Sequence, residues 1–208
     1  YAVELAPHRT IAYLTNTTVS VKSLRIAEKG AGEENVIEIP LFTIADTLLD
    51  AVAMRAEIGL ISSHGGRIRA RVLPDHTINL IAMLARPDGT NAAPASTAAP
   101  VTNTLNIIAV VREVHIDDYD VKLAGALGEQ SLTWQGIAIS NIQVQTRPVT
   151  FSVDSITVTN AAFAHTDNSV QPAAALSVQQ INARIAGIAS DERTPTTLAL
   201  TGAVNGKD

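Results

Sequence analysis

The sequence predicts a mainly β protein: a curved, bulged antiparallel sheet with a two-fold repeat and few short helices. The sheet forms either an open groove or a sandwich-like module. Three observations lead there. Apolar residues pair at a spacing of two, successive pairs stand three apart, and the pattern recurs 95 positions further along the chain. A spacing of two is strand periodicity.

Taken in order, Val19 and Val21 form one pair, and Leu24 and Ile26 the next. Ile37 and Ile39 precede Phe42 and Ile44. Further on come Val114 and Ile116, then Tyr119, Val121 and Leu123. Leu132 and Trp134, Ile137 and Ile139, and Ile142 and Val144 follow. A step of three changes the face of a regular strand. A β-bulge at each step restores the face and bends the strand; otherwise successive pairs point to opposite sides.

Two stretches read as short helices. "ADTLLDAVAMRA", residues 45–56, offers Asp46 as N-cap with Leu49, Val52 and Ala56 on one face. "TINLIAMLAR", residues 77–86, places Leu80, Ile81 and Leu84 together. Residues 168–190 fit both periods. We read them as a bulged strand with its step at Gln179-Gln180, so that Leu176, Val178, Ile181, Ala183 and Ile185 share a face.

A gapless shift of 95 pairs Val19 with Val114, Ile39 with Trp134, Ile44 with Ile139 and Ile58 with Val153. It also places Gly30 on Gly125. Between the two units, residues 86–104 are Ala, Pro, Ser and Thr with almost no large apolar side chain, the composition of a flexible linker. The expected organisation is therefore a first β unit over 1–85, a linker over 86–104 and a second β unit over 105–208.

Composition narrows the function. With 46% hydrophobic and 17% charged residues the chain is a folding one. Its 15 scattered Lys and Arg make no basic stripe, so nucleic acid is not an expected partner. Zero cysteines exclude disulfides, thiol nucleophiles and Cys-based zinc sites. No run of about 20 apolar residues is present to span a bilayer as a helix. The opening at Tyr1, with no charged-then-apolar leader, suggests a piece of a longer chain.

Catalytic constellations have plainer readings. His115 with Asp117, Asp118 and Asp120 is expected to form a polar turn rather than a metal site. His64 before Gly65-Gly66 reads as a hairpin turn, and His165 with Thr166 and Asp167 as another. Nucleophile-elbow, phosphate-loop and dinucleotide fingerprints are absent. The expectation is a non-enzyme without metal or cofactor.

Several stretches together resemble AsmA-like proteins, the TamB-related bacterial envelope proteins, in the branch long labelled a domain of unknown function. They are "HGGRIRARVLPDHTINLIAML" (64–84), "LNIIAVVREVHIDDYDVKL" (105–123), "ITVTNAAFAHTDNSVQPAAALSVQQINARIAGIAS" (156–190) and "TTLALTGAVNG" (196–206). His76 stands where that family usually has glycine, and Asp167 is displaced from the usual spacing after Phe163. The resemblance implies a periplasmic module of a parent protein anchored in the inner membrane. It also implies a role in phospholipid movement between membranes or outer-membrane maintenance.

An apolar groove suits that role. Each buried methylene is worth about 0.8 kcal/mol, so exposing an acyl chain of ~16 carbons costs on the order of 13 kcal/mol. The candidate groove lining is Ile37, Ile39, Phe42, Ile44, Leu132, Trp134, Ile137, Ile139, Val153, Ile156, Leu176, Val178 and Ile181. Arg67, Arg69 and Arg71 alternate along one strand face, either as a solvated face or as a contact for acidic head groups. The expected partner is phospholipid. The competing reading is a structural module that stacks on neighbouring repeats of its parent, or on another envelope protein, its aliphatic face closed as core. Bare sheet edges also invite an edge-strand dimer.

Overall fold

The computed structural model describes residues 2–6, 9–28, 35–84, 106–191 and 195–207. Ten strands make one sheet: β1 (Ala2–Ala6), β2 (Arg9–Ala27), β3 (Asn35–Asp50), β4 (Arg55–His64), β5 (Arg67–Arg71), β6 (Ile108–Gly125), β7 (Gly128–Thr146), β8 (Val149–Asp167), β9 (Ala174–Ala189) and β10 (Thr197–Lys207). One short helix, α1 (Asn79–Leu84), follows β5. The spatial order is β1-β2-β3-β4-β6-β7-β8-β9-β10, with β5 between β3 and β6.

Neighbours are antiparallel except at the centre. There β4 pairs with β6 in parallel from Arg55↔Ile108 to His64↔Asp117, and β5 continues that pairing from Arg67↔Asp120. The sheet thus runs without interruption across the segments assigned to two units. A parallel pair needs a crossover rather than a hairpin; the described parts of that connection are residues 72–84, which include α1, and residues 106–107. The linker expected at 86–104 lies outside the described residues.

The steps of three prove to be corners, and their chemistry is regular. At nine of them the second of the two intervening residues has positive φ: Asn16, Ser23, Asp46, Gly65, Asp118, Asn141, Asn160, Gln180 and Gly187. Asn and Asp predominate because their short polar side chains tolerate the left-handed region. The register aligns these residues into two transverse rows. One row passes through Asp46, Gly59, Arg112, Asn141 and Asp154 to Gly187. The other passes from Ser23 through Pro40, Gly65, Asp118 and Gln135 to Asn160 and Gln180. The sheet therefore bends along two lines into three panels.

Most corners are not register-shifting bulges. Antiparallel neighbours step together, a positive-φ residue on one strand facing an ordinary residue on the next, as Asp118 faces Gln135. Register shifts occur where both neighbours carry positive φ, at Leu14/Thr17/Val19 with Asp46 opposite and at Val158/Ala161/Phe163 with Gln180 opposite. Two more occur without such a pair, between Ile26 and Ala27 of β2 and between Thr201 and Ala203 of β10.

The repeat is visible in the same residues. Ser23, Asp46 and Gly65 each have positive φ, and so do Asp118, Asn141 and Asn160, each 95 positions on. β2, β3 and β4 with β5 thus correspond to β6, β7 and β8.

Several local expectations change. The helix expected over 45–56 is absent: Ala45–Asp50 completes β3, and residues 51–54 turn. Asp46 is a corner, not an N-cap, while Asp50 Oδ1 accepts from the Val52 and Ala53 amides at 2.9 and 2.8 Å. Pairing of Leu49 with both Leu14 and Ala56 satisfies the backbone that a helix would otherwise have to satisfy. Gly65-Gly66 is not a hairpin, because β4 and β5 run in the same direction in one register with β3. His115 and His165 lie within β6 and β8 rather than in turns. The helix expected over 77–86 forms as α1. Asn79 ties it to the sheet by accepting from the Arg71 amide at 2.9 Å and donating to Glu28 at 3.0 Å. Residues 168–190 form β9 with Gln180 at the corner.

Candidate functional site

Because paired residues share a face and each corner keeps it, the faces can be followed strand by strand. On β6 one face carries Val111, Val114, Ile116, Tyr119, Val121 and Leu123. Opposite them on β7 stand Ile142, Ile139, Ile137, Trp134, Leu132 and Gln130. Next on β8 come Val153, Ile156, Val158, Ala161, Phe163 and His165. β9 continues with Ile188, Ile185, Ala183, Ile181, Val178 and Leu176. In the other direction the parallel pairing brings Ile58, Ile61 and Ile68, then Ile44, Phe42 and Ile37 on β3. All thirteen residues of the predicted lining, Ile39 among them, fall on this one face.

The opposite face is polar, with Glu113, His115 and Lys122 on β6 and Ser131, Thr133, Ser140 and Gln143 on β7. The apolar face is the inner side of the bend. Val114, Tyr119 and Ala161, all within two residues of a corner, are 5–8% exposed although no second layer covers them among the described residues. Side chains that converge across a bend bury one another in that way; on the other face Val36, among Glu28, Arg71 and Asn79, is 5% exposed. The corner residues Asp46, Asp118, Asn160 and Gln180 are exposed.

Away from the corners the inner face is open. Leu132, Val144, Phe151 and Leu176 are 40–48% exposed. Among the described residues no large apolar side chain is sealed from solvent, and no second sheet closes a sandwich core.

At the second bend the floor is aromatic. Tyr119 and Trp134 stack with ring centroids 5.2 Å apart and planes 6° from parallel. The Tyr119 hydroxyl and Ser63 Oγ share a buried hydrogen bond of 2.5 Å, and Trp134 Nε1 donates to the Ile116 carbonyl at 3.0 Å. Both polar tips are thereby satisfied within an apolar surface. Tyr119 fits because its ring lies over Gly66, where a Cβ would come within 2.1 Å of it.

Arg67, Arg69 and Arg71 occupy the outer face, away from the apolar lining. Each meets a carboxylate: Arg67 with Glu38 at 4.0 Å, Arg69 with Asp120 at 3.0 Å, and Arg71 with Glu28 at 2.8 Å. Hydrogen bonds from Asn79 and Arg71 hold Glu28 below the usual carboxylate range. A cavity of about 250 Å³ opens among Glu28, Arg69, Arg71, Asn79, Lys122 and Glu129.

The histidine sets separate in space. His64 faces Asp118 at 3.4 Å, His115 faces Glu113 at 3.2 Å, and Asp120 is taken by Arg69. His165 lies on the inner face between Gln130 and Leu176. No group of three metal-ligating side chains occurs among the described residues.

The predicted lining omitted Ile58, Ile61, Val114, Tyr119, Phe163 and Ile185. The same two-and-three spacing marks each of them. Comparison with known proteins finds no match to this chain, whether among family models, curated proteins or solved structures.

Proposed function

We propose that this chain is a non-enzymatic periplasmic module of an AsmA-like envelope protein anchored in the inner membrane. Its inner face shelters lipid acyl chains for phospholipid transport between membranes or for outer-membrane maintenance. One observation carries the reading: an aliphatic face continuous from β2 to β10, inside a bend, with no layer over it among the described residues. Uncovered apolar surface costs about 25 cal/mol per Å², and contiguous patches of more than a few hundred Å² mark binding surfaces. Nine strands about 4.8 Å apart give a path of roughly 40 Å across the sheet, long enough for acyl chains to lie along the bend.

A second reading keeps the module and removes the lipid, with neighbouring repeats of the parent or another envelope protein on the sheet. The far edge of β10, unpaired among the described residues, favours it. Mass spectrometry of lipids co-purified with the protein separates the two. Lipid-sheltering predicts reproducible phospholipid that is lost in Ile139→Glu and Val153→Glu but kept in the outer-face control Thr157→Glu. Recovery of no lipid from the wild type, with cooperative unfolding intact, rejects lipid-sheltering for this segment.

A further inference from the structure

Among the described residues β10 is the last strand of the sheet, and its far edge is unpaired. Its Leu198, Leu200 and Val204 are 65–69% exposed. They lie on the inner face, beside Ile185, Ala183 and Val178 of β9, which are partly buried. The difference is the flank: among the described residues every interior strand has a neighbour on both sides, and β10 has one.

Natural sheets protect such an edge with charge, proline or a covering element. β10 carries no proline, and no charge before its last residue, Lys207. β1, the other terminal strand, pairs over only five residues and contains Glu4. We infer that β10 is a pairing edge, and that its occupant in the isolated protein is the β10 strand of a second copy.

The sequence of the strand supports a two-fold pair. A two-fold axis perpendicular to the sheet makes the two strands antiparallel and keeps both apolar faces on the same side. With the axis at Thr201, Leu198 of each copy stands beside Val204 of the other, and Leu200 beside Gly202. Large side chains meet small or branched ones, and no like charges face each other. The two inner faces then join into one surface of double width. This deepens the lipid-sheltering proposal by extending the sheltered path, and it rests on that reading only for its function, not for the pairing itself.

The chain has no cysteine, so single cysteines report on the pairing. Opposed residues in an antiparallel pair lie about 4.5–5.5 Å apart at Cα, within disulfide range. Sedimentation of the wild type is expected to give twice the chain mass of 21.9 kDa. Thr201→Cys is expected to cross-link under mild oxidation, whereas Glu4→Cys remains uncross-linked. Leu198→Lys with Leu200→Lys, which places charges in the edge, is expected to return the monomer with unchanged circular dichroism. A wild-type monomer across the accessible concentration range, or cross-linking through Glu4→Cys instead, overturns the inference. Lipid content measured on the same samples keeps the two proposals apart: a lipid-bearing monomer rejects the pairing alone, and a lipid-free dimer rejects the sheltering alone.

Discussion

Gly59 on β4 faces Asp46 on β3 at the first corner, where a Cβ on Gly59 would stand 2.6 Å from the Asp46 Cβ. Asp46 holds φ at 55°, which aims its side chain toward the neighbouring strand. The corner exists because one residue turns left-handed and the other has no side chain. Gly59→Ala is therefore expected to destabilise the fold by about 1–3 kcal/mol, the range for overpacking. Asp46→Gly removes both the colliding Cβ and the left-handed strain. The double variant should recover most of the loss, a coupling that urea unfolding of the four-member cycle would measure. Additive effects would show that the contact does not set the corner.

The Tyr119 hydroxyl gives a second test. It shares a hydrogen bond with Ser63 Oγ, and the two residues are only 8% and 7% exposed. Tyr119→Phe leaves the serine without that partner and is expected to cost about 1–2 kcal/mol. Adding Ser63→Ala should restore part of that stability, because the pair is then replaced by apolar groups. Equilibrium unfolding of the single and double variants decides it, and no recovery in the double would show that packing alone holds the site.

Gln180 has φ 53° and an exposed side chain, without the short polar side chain that eases this conformation in Asn or Asp. A non-glycine residue there bears about 1–2 kcal/mol of left-handed strain. Gln180→Gly removes it at an unfolded-state entropy cost of roughly half that, so a small gain in stability is expected. Gln180→Ile, β-branched, should lose at least 1 kcal/mol. Thermal unfolding of both variants tests the corner, and equal midpoints would place Gln180 outside the left-handed region.

The inner face was legible because side-chain direction is local. Spacings of two and three are facts of the sequence, and Ile137, Ile139 and Ile142 land together whichever strands flank them. Corners were half legible. Asn141 and Asn160 announce themselves by residue type, whereas Gln180 does so only through its spacing. Gly65-Gly66 misled because paired glycines signal a hairpin, yet one supplies positive φ and the other makes room for Tyr119. The run over 45–56 misled because Leu49, Val52 and Ala56 satisfy helical spacing, while the partners that hold Leu49 in a strand lie 35 residues back, at Leu14, and across a turn, at Ala56. Parallel pairing of β4 with β6 had no local signal, since it joins strands separated by a long crossover.

Acid should weaken the outer face at a definable place. Glu57 on β4 accepts a hydrogen bond from Arg112 of β6 at 2.8 Å and is paired with Arg55. The Arg112 hydrogen bond, reinforced by the charges of both arginines, lowers its carboxyl below the ordinary value. A carboxylate with a folded pKa below its unfolded one contributes stability that is fully present above the unfolded value. That stability is lost as pH falls through the folded value. The urea midpoint is thus expected to hold from pH 7 to about 5 and to drop below it, where carboxylates begin to protonate. In Glu57→Gln the neutral-pH midpoint should be lower and the acid-side slope shallower, because the linked proton is gone. The pair is partly exposed at Arg112, so the loss at pH 7 should stay near 1 kcal/mol or less. Parallel pH profiles for wild type and variant would assign the acid sensitivity to other carboxylates.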